Sequence, residues 1–237
     1  MISDYFDDET SLSYFDDMFE NQPYPKLKDP YVTRKLGVAS RIVLSGTHGT
    51  GKTTMFKYLK HELRKADYHR RGLHYAFREE PIRIIKDYGF PINQEAGDAS
   101  QLAMASYHMA SLGYPDFLSD RCIVDVYVYA RYLHEHIPGL ISVPCMNMLE
   151  TLVFQFIATF KGVVFCFACD EQEAIQDDGL RDLDKGFRNG INSLMFNIWC
   201  ELQKCTHINR IEVVHWMPDS FAERLKLIKR VLWGQEE

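Results

Sequence analysis

Eight consecutive residues carry the strongest chemical signal: Gly46-Thr47-His48-Gly49-Thr50-Gly51-Lys52-Thr53, directly after the short apolar run Arg41-Ile-Val-Leu-Ser45. Glycines at 46, 49 and 51 let the backbone curl until successive N–H groups face one anion. A helix beginning at Lys52 adds the positive end of its dipole to that cradle. At this spacing Lys52 reaches the β- and γ-phosphates of a nucleoside triphosphate, and the Thr53 hydroxyl coordinates Mg²⁺. Residues 46–53 are thus a full Walker A match. Thr54 is the next helical residue of the same stretch, and His48 either touches a phosphate or stands solvated in the loop. The motif specifies phosphate binding, not what is done with the phosphate.

Two further constellations bear on that question. Phe77-Arg78-Glu79-Glu80-Pro81 places carboxylates after a second apolar run. Phosphoryl transfer needs positioning, charge neutralisation and a group that orients the incoming hydroxyl. Glu80 is the candidate base and Arg78 a candidate phosphate ligand; a solvated charge run is the alternative for Arg78 and Glu79. Ser119-Asp120-Arg121 ends a third apolar run. Here Asp120 can hold Mg²⁺ through water, and Arg121 can contact transferring or acceptor phosphates bidentately. No Asn-Lys-x-Asp guanine motif is present, and Asp170-Glu171 continues into a polar segment instead of closing a motor-type strand.

Strands and helices must alternate to bring these residues together. The patterns predict strands at 41–45, 73–77, 116–120, 163–168 and 210–216. They predict helices at 52–66, 81–88, 99–112, 124–135, 145–160, 187–204 and 220–232. Five strands separated by helices imply an α/β fold with a five-stranded parallel sheet covered on both faces. Ligands of such sheets bind beyond the carboxyl ends of the strands, where all three motifs fall.

The 237 residues suit one domain of this kind, residues 38–237, preceded by an acidic, aromatic arm over 1–37. The first 21 residues hold seven acids and no Lys or Arg; without those seven, 27 basic residues face 26 acidic ones. That near-neutral body lacks the charge expected of a protein gripping duplex DNA through its phosphates. Lys57, Lys60, Arg64, Lys65 and His69-Arg70-Arg71 form either a local basic patch or a solvated helix face. Cys166 and Cys169 form a C-x-x-C within a strand pattern, without the second close pair a zinc ribbon needs, and read as buried thiols. No secretory leader pattern opens the chain, and Lys161-Gly162 interrupts the apolar run 152–168, which predicts helix then strand in a cytosolic protein with no membrane span. The apolar helix from Met146 to Phe160 is either core or a homodimer face.

The order of these motifs resembles the small-molecule P-loop kinases: deoxynucleoside kinases, thymidylate kinase and the ribosylnicotinamide-kinase domain of NAD-regulator proteins, among the AAA-like nucleotide kinases. The matching pieces are residues 46–53, Glu80-Pro81, Asp120 to Tyr129, and Asp177 to Arg188. The resemblance implies a lid whose arginines, Arg181 and Arg188, close over the phosphates. It places the acceptor between Glu80-Pro81 and the helix near 99–112, where Gln101 hydrogen-bonds a base and Tyr107 stacks on it, or both pack in the core. Asp125 and Tyr129 face the acceptor sugar or brace the site. The function implied is ATP- and Mg²⁺-dependent phosphorylation of a hydroxyl or monophosphate on a nucleoside-like small molecule. Two alternatives stand beside it: a kinase acting on a DNA hydroxyl, and a nucleotide-dependent switch that uses the acidic arm as its partner contact. No adenylyltransferase domain accompanies the motifs.

Overall fold

The computed structural model describes residues 41–69, 75–167, 184–205, 211–214 and 220–233. The acidic arm, Cys169, Asp170-Glu171, Arg181 with the segment before Asp184, and Arg70-Arg71 lie outside these residues. The strands are β1 (Arg41–Gly46), β2 (Ala76–Arg78), β3 (Phe117–Asp120), β4 (Gly162–Phe167) and β5 (Ile211–Val214). The helices are α1 (Lys52–His69), α2 (Ile82–Asp87), α3 (Asp98–Met109), α4 (Ile123–His136), α5 (Val143–Thr159), α6 (Lys185–Cys205) and α7 (Phe221–Trp233). The second strand sits later than its apolar pattern suggests, and the 99–112 helix ends at Met109 and tightens into a 3₁₀ turn over Ala110–Gly113.

All pairings are parallel, in the order β2-β3-β1-β4-β5. β1 is central, so Ile42, Val43 and Leu44 are fully buried and read as a continuous apolar run instead of an alternation. Register sets Leu44 beside Asp120 and Arg78 beside Ser119. The chain therefore leaves β1, β2 and β3 along one edge, and their loops share it.

On one face Met55, Phe56, Leu59 and Leu63 of α1 pack with Ile42, Leu44 and Phe165 of the sheet and with Leu227 and Ile228 of α7. Behind β1, the indole N–H of Trp199 donates to Ser45 Oγ at 2.7 Å and ties α6 to the sheet. Helix α5 starts at Ser142, whose hydroxyl caps the Cys145 N–H at 3.3 Å. The Asp98 carboxylate accepts from the Ser142 N–H at 2.9 Å and its hydroxyl at 2.6 Å, joining α3 to α5. One face of α5 is core (Met146, Leu149, Val153, Phe156, Ile157), while Met148 and Phe154 stand half exposed on the other. Cys122 and Cys145 are buried, Cys166 and Cys200 partly buried, and none of these four is in a disulfide. Among the described residues no helix is long and apolar enough to cross a membrane.

Gly46 closes β1 where no side chain fits. Its φ is +135°, and a Cβ there would lie 2.3 Å from the Phe167 carbonyl oxygen on β4. Gly46→Ala must displace sheet backbone and adopt a glycine-only conformation, so it should lose at least ~2 kcal/mol of stability. Urea denaturation checks this; an unchanged midpoint would show that β1 and β4 are not held this closely.

Candidate functional site

The loop 47–51 turns through left-handed φ values at Gly49 (+77°) and Gly51 (+80°) before α1 begins. Its carbonyls are held from several sides. The Thr50 hydroxyl donates to Thr47 O at 3.0 Å, and Lys52 Nζ donates to the same oxygen at 2.5 Å and to Thr50 Oγ1 at 3.2 Å. Arg224 of α7 donates to Thr50 O at 2.6 Å, with its guanidinium over the Phe167 ring. A peptide plane whose C=O is held outward turns its N–H to the opposite side, so Arg224 fixes how the Gly51 amide is presented. Burial, and then the Arg121 charge, lower Lys52 to about 8, against the pull of Asp120, Glu80 and Asp125.

Thr53 and Asp120 meet as their motifs suggest, the hydroxyl donating to Asp120 Oδ2 at 3.0 Å. The other carboxylate oxygen, Oδ1, is buried and has no hydrogen-bond partner among the described residues. Burial is the main cause that raises Asp120 to about 6, with Glu80 adding like-charge repulsion against the pull of Lys52 and Arg121. A hydroxyl and a carboxylate with a spare oxygen beside a phosphate cradle fit Mg²⁺, which takes few protein ligands and completes its shell with phosphates and water.

Arg121 joins three segments. It has a positive φ of 76°, uncommon for a residue with a side chain, and its N–H donates to Leu44 O at 2.8 Å. That turn sends the guanidinium back over the strand ends. There Nη1 donates to Gly46 O at 2.9 Å and lies 3.7 Å from Asp125 Oδ1, and Nε is 2.5 Å from Glu80 Oε1. The Nε–H does not point along that last contact, which is a charge pairing and not an aligned hydrogen bond. Burial pushes the Glu80 carboxyl up, but the charges of Arg121 and Lys52 outweigh it and hold Glu80 below the usual carboxylate range. Glu80 is therefore an anion near neutral pH.

A cavity of about 410 Å³ opens over these groups. The loop from His48 to Thr54 lines one side, together with Glu80, Asp120 and Arg121. The far side comes from the 3₁₀ turn Asn93–Glu95 and helix α3, through Asn93, Ala96, Gln101, Met104 and His108.

Several expectations need correction. His48 is neither solvated nor free in the loop: it is 8% exposed, packs against the Phe187 ring and meets the Tyr129 hydroxyl at 3.1 Å through Nδ1. Arg78 and Tyr107 do not line the cavity; Arg78 stacks 4.0 Å over the Tyr107 ring and donates to its carbonyl, so each occupies the other. Arg188 is fully buried in the first turn of α6 and is not on the cavity wall, so it is no lid arginine there. Arg121 has its guanidinium committed to protein groups instead of presenting a free fork to phosphate. Asp125 braces: Oδ1 accepts from the Gly46 N–H at 2.9 Å, and Oδ2 from the Cys122 N–H at 3.0 Å, which caps α4. Gln101 does line the cavity, with its Nε2 donating to Ala96 O at 3.2 Å.

The sequence reading passed over His108, Met104 and Asn93. Gln101, Met104 and His108 recur at helical spacing, and that spacing was the available signal. Asn93 has φ +55°, a conformation asparagine tolerates.

The match to known proteins follows this geometry. The family model described as AAA domain aligns with residues 41–224. Among solved structures, NadR in complex with NR superposes with a TM-score of 0.56 at 14% identity, covering 84% of this chain and 52% of NadR. NadR with NAD and AMP-PNP gives 0.58 at 12%, covering 84% and 51%. The chain thus spans about half the length of these NadR chains. Deoxyadenosine kinase from M. mycoides, with dCMP and dCDP bound, gives 0.54 at 13%, covering 81% and 98%. Thymidylate kinase from Ehrlichia chaffeensis gives 0.50 at 16%, covering 82% and 98%. At such identities the likeness is one of fold. No curated protein matches the chain by sequence.

Two predictions follow from the buried charges. Arg121→Ala leaves Asp125 and Glu80 without their counter-charge and should cost ~3 kcal/mol, with Arg121→Lys costing less than half of that; chemical denaturation of both variants reads the difference. For His108, burial and then the Arg121 charge lower the imidazole to about 3. The unfolded chain, with an ordinary value near 6.5, takes up the proton first as pH falls. This contribution to stability is full above about 6.5 and declines toward 3. Between pH 6.5 and 4.5 the wild type should lose about 2 kcal/mol more than His108→Asn. Parallel stability-versus-pH curves would mean that the ring is solvated.

Proposed function

The chain belongs to the AAA domain family, and from that premise we propose that it is a phosphotransferase moving the γ-phosphate of ATP to a hydroxyl or monophosphate of a nucleoside-like small molecule. One observation carries the reading: the ionised Glu80 carboxylate lines the same cavity as the phosphate cradle and the Thr53–Asp120 pair. A binding module has no need of a second, base-competent carboxylate at that position.

The roles divide by position. The amides of residues 47–51 and the start of α1 hold the donor phosphates, and Lys52 reaches them by leaving Thr47 O. Glu80 accepts the hydrogen bond of the incoming hydroxyl and takes its proton as the oxygen attacks. Arg121 and Asp125 keep Glu80 and Gly46 in place. Thr53 and Asp120 would hold Mg²⁺, which would supply charge neutralisation as the phosphoryl group is transferred. ATP as donor is supported by the AMP-PNP in the NadR structure and the dATP in another deoxyadenosine kinase structure. A DNA acceptor is less well served: Lys60 pairs with Glu79 at 2.7 Å, and both Lys60 and Arg64 lie against the Phe77 ring instead of forming an open basic face.

The test is ADP release from ATP, screened with nucleosides, nucleoside monophosphates, ribosylnicotinamide and hydroxymethylated DNA. One small-molecule class should stimulate it, and no stimulation by any acceptor would overturn the reading. Glu80→Gln should still bind ATP but lose about 10²–10⁴-fold in transfer. Unchanged turnover would remove Glu80 from the base role.

A further inference from the structure

Burying an imidazole costs free energy unless its polar atoms find partners, yet His48 stands inside the phosphate loop at 8% exposure. One hydroxyl offsets much of that cost. The Tyr129 Oη lies 3.1 Å from His48 Nδ1, accepts from the His48 N–H at 3.3 Å and lies 3.5 Å from the Thr47 hydroxyl. A phenol has one proton to give and two lone pairs. These three contacts use all of that capacity, which turns the hydroxyl toward the loop and leaves nothing for an acceptor.

The rings make a second set of contacts. The His48 imidazole stacks on Phe187 with 6.2 Å between centroids and 27° between planes, and Tyr129 meets the same phenyl edge-on at 6.0 Å. Phe187 is 4% exposed in the first turn of α6. Nearby, Gly190 lets α6 sit close on α4: a Cβ there would fall 2.2 Å from the Tyr132 ring, and Tyr132 packs edge-on to Phe187 at 5.3 Å. From another side the Arg121 guanidinium lies 5.2 Å over the Tyr129 ring. Tyr129 and Phe187 are thus both anchored independently of the loop.

Together they hold the half of the cradle that Arg224 does not reach. Arg224 fastens Thr50 O, whereas Tyr129 and Phe187 fasten residues 47 and 48; Gly49, with φ +77°, is the joint between the halves. A glycine-rich loop ordered only on the arrival of nucleotide would subtract that ordering from its affinity. We infer that His48 is a positioning residue of the donor site, whose ring anchors the first half of the cradle to α4 and α6 through Tyr129 and Phe187 without touching phosphate. This rests on residues 46–53 being a phosphate cradle, and it assigns Tyr129 to the donor side of the cavity.

The test is calorimetric ATP titration of the full chain as wild type, Tyr129→Phe, His48→Phe and the double variant. Both substitutions keep a ring and remove the bond between the two side chains. Each single variant should bind ATP about threefold to tenfold more weakly than wild type, and the double variant no more weakly than about the poorer single. His48→Asn, which keeps a polar atom near the place of Nδ1, should fall between wild type and His48→Phe. In ADP release the ATP KM should rise by the same factor, with kcat within a few-fold. Urea denaturation of the same proteins identifies a merely structural role: the two residues would then be coupled in stability while ATP affinity stayed at the wild-type level, and that result overturns the inference. Additive losses of affinity overturn it too, because they give the imidazole a phosphate contact of its own. Either result leaves the kinase reading standing. Coupled losses of ATP affinity with no acceptor able to stimulate ADP release sink the kinase reading and keep the inference. A wild-type chain that binds no ATP brings both down.

Discussion

The site depends on one guanidinium. Arg121 leaves β3 with a positive φ and reaches back to a carbonyl of the cradle, to the carboxylate that ends the β2 segment and to the carboxylate that caps α4. Three chain segments, far apart in sequence, meet on that cation. Removing a group of this kind costs more than its bonds, because partners taken out of water would keep their charges. The left-handed backbone at Arg121 is strain that the surroundings must hold, and the Leu44 carbonyl and the Ser119 hydroxyl, bonded to Arg121 N–H and C=O, do so.

Around that hub the two ends of the cavity obey different physics. The cradle works by oriented amides and a fixed lysine, so its geometry depends on how each carbonyl is held. The far wall offers apolar surface and few polar atoms. Glu80 stands where the regimes meet. Its charge is held by Arg121 and Lys52, enough to keep it ionised, with a partly exposed side chain that still faces the cavity.

The backbone frame was legible in the sequence because apolar runs, glycine spacing and helical periodicity are local signals. Residues 46–53, Glu80 and Asp120 were legible for the same reason: each lies at the end of an apolar run. Arg78, Tyr107 and Arg188 were misassigned because side-chain direction depends on partners that composition does not reveal. Arg78 found an aromatic ring, and Arg188 found the interior. His48 looked solvated because loop residues usually are, yet Tyr129 and Phe187 come from two distant helices to cover it. His108 escaped notice because a lone histidine on an apolar helix face carries no local mark of function. Only the fold shows that its face turns toward the cavity.

The cradle residues are early in the chain, but their supports come late. Gly46 is bonded by Asp125 and Arg121, 79 and 75 positions downstream, and Thr50 by Arg224, 174 positions downstream. During synthesis the glycine loop therefore emerges long before anything can brace it. Its central strand acquires both neighbours only when β3 and β4 have been made. Such pairing is slow to form and leaves apolar strand edges open in the meantime. A ribosome-bound chain ending between β1 and β4 would carry the whole phosphate motif with no rigid cradle. A rigid cradle is thus acquired only once α7 has been made and its arginine reaches the loop.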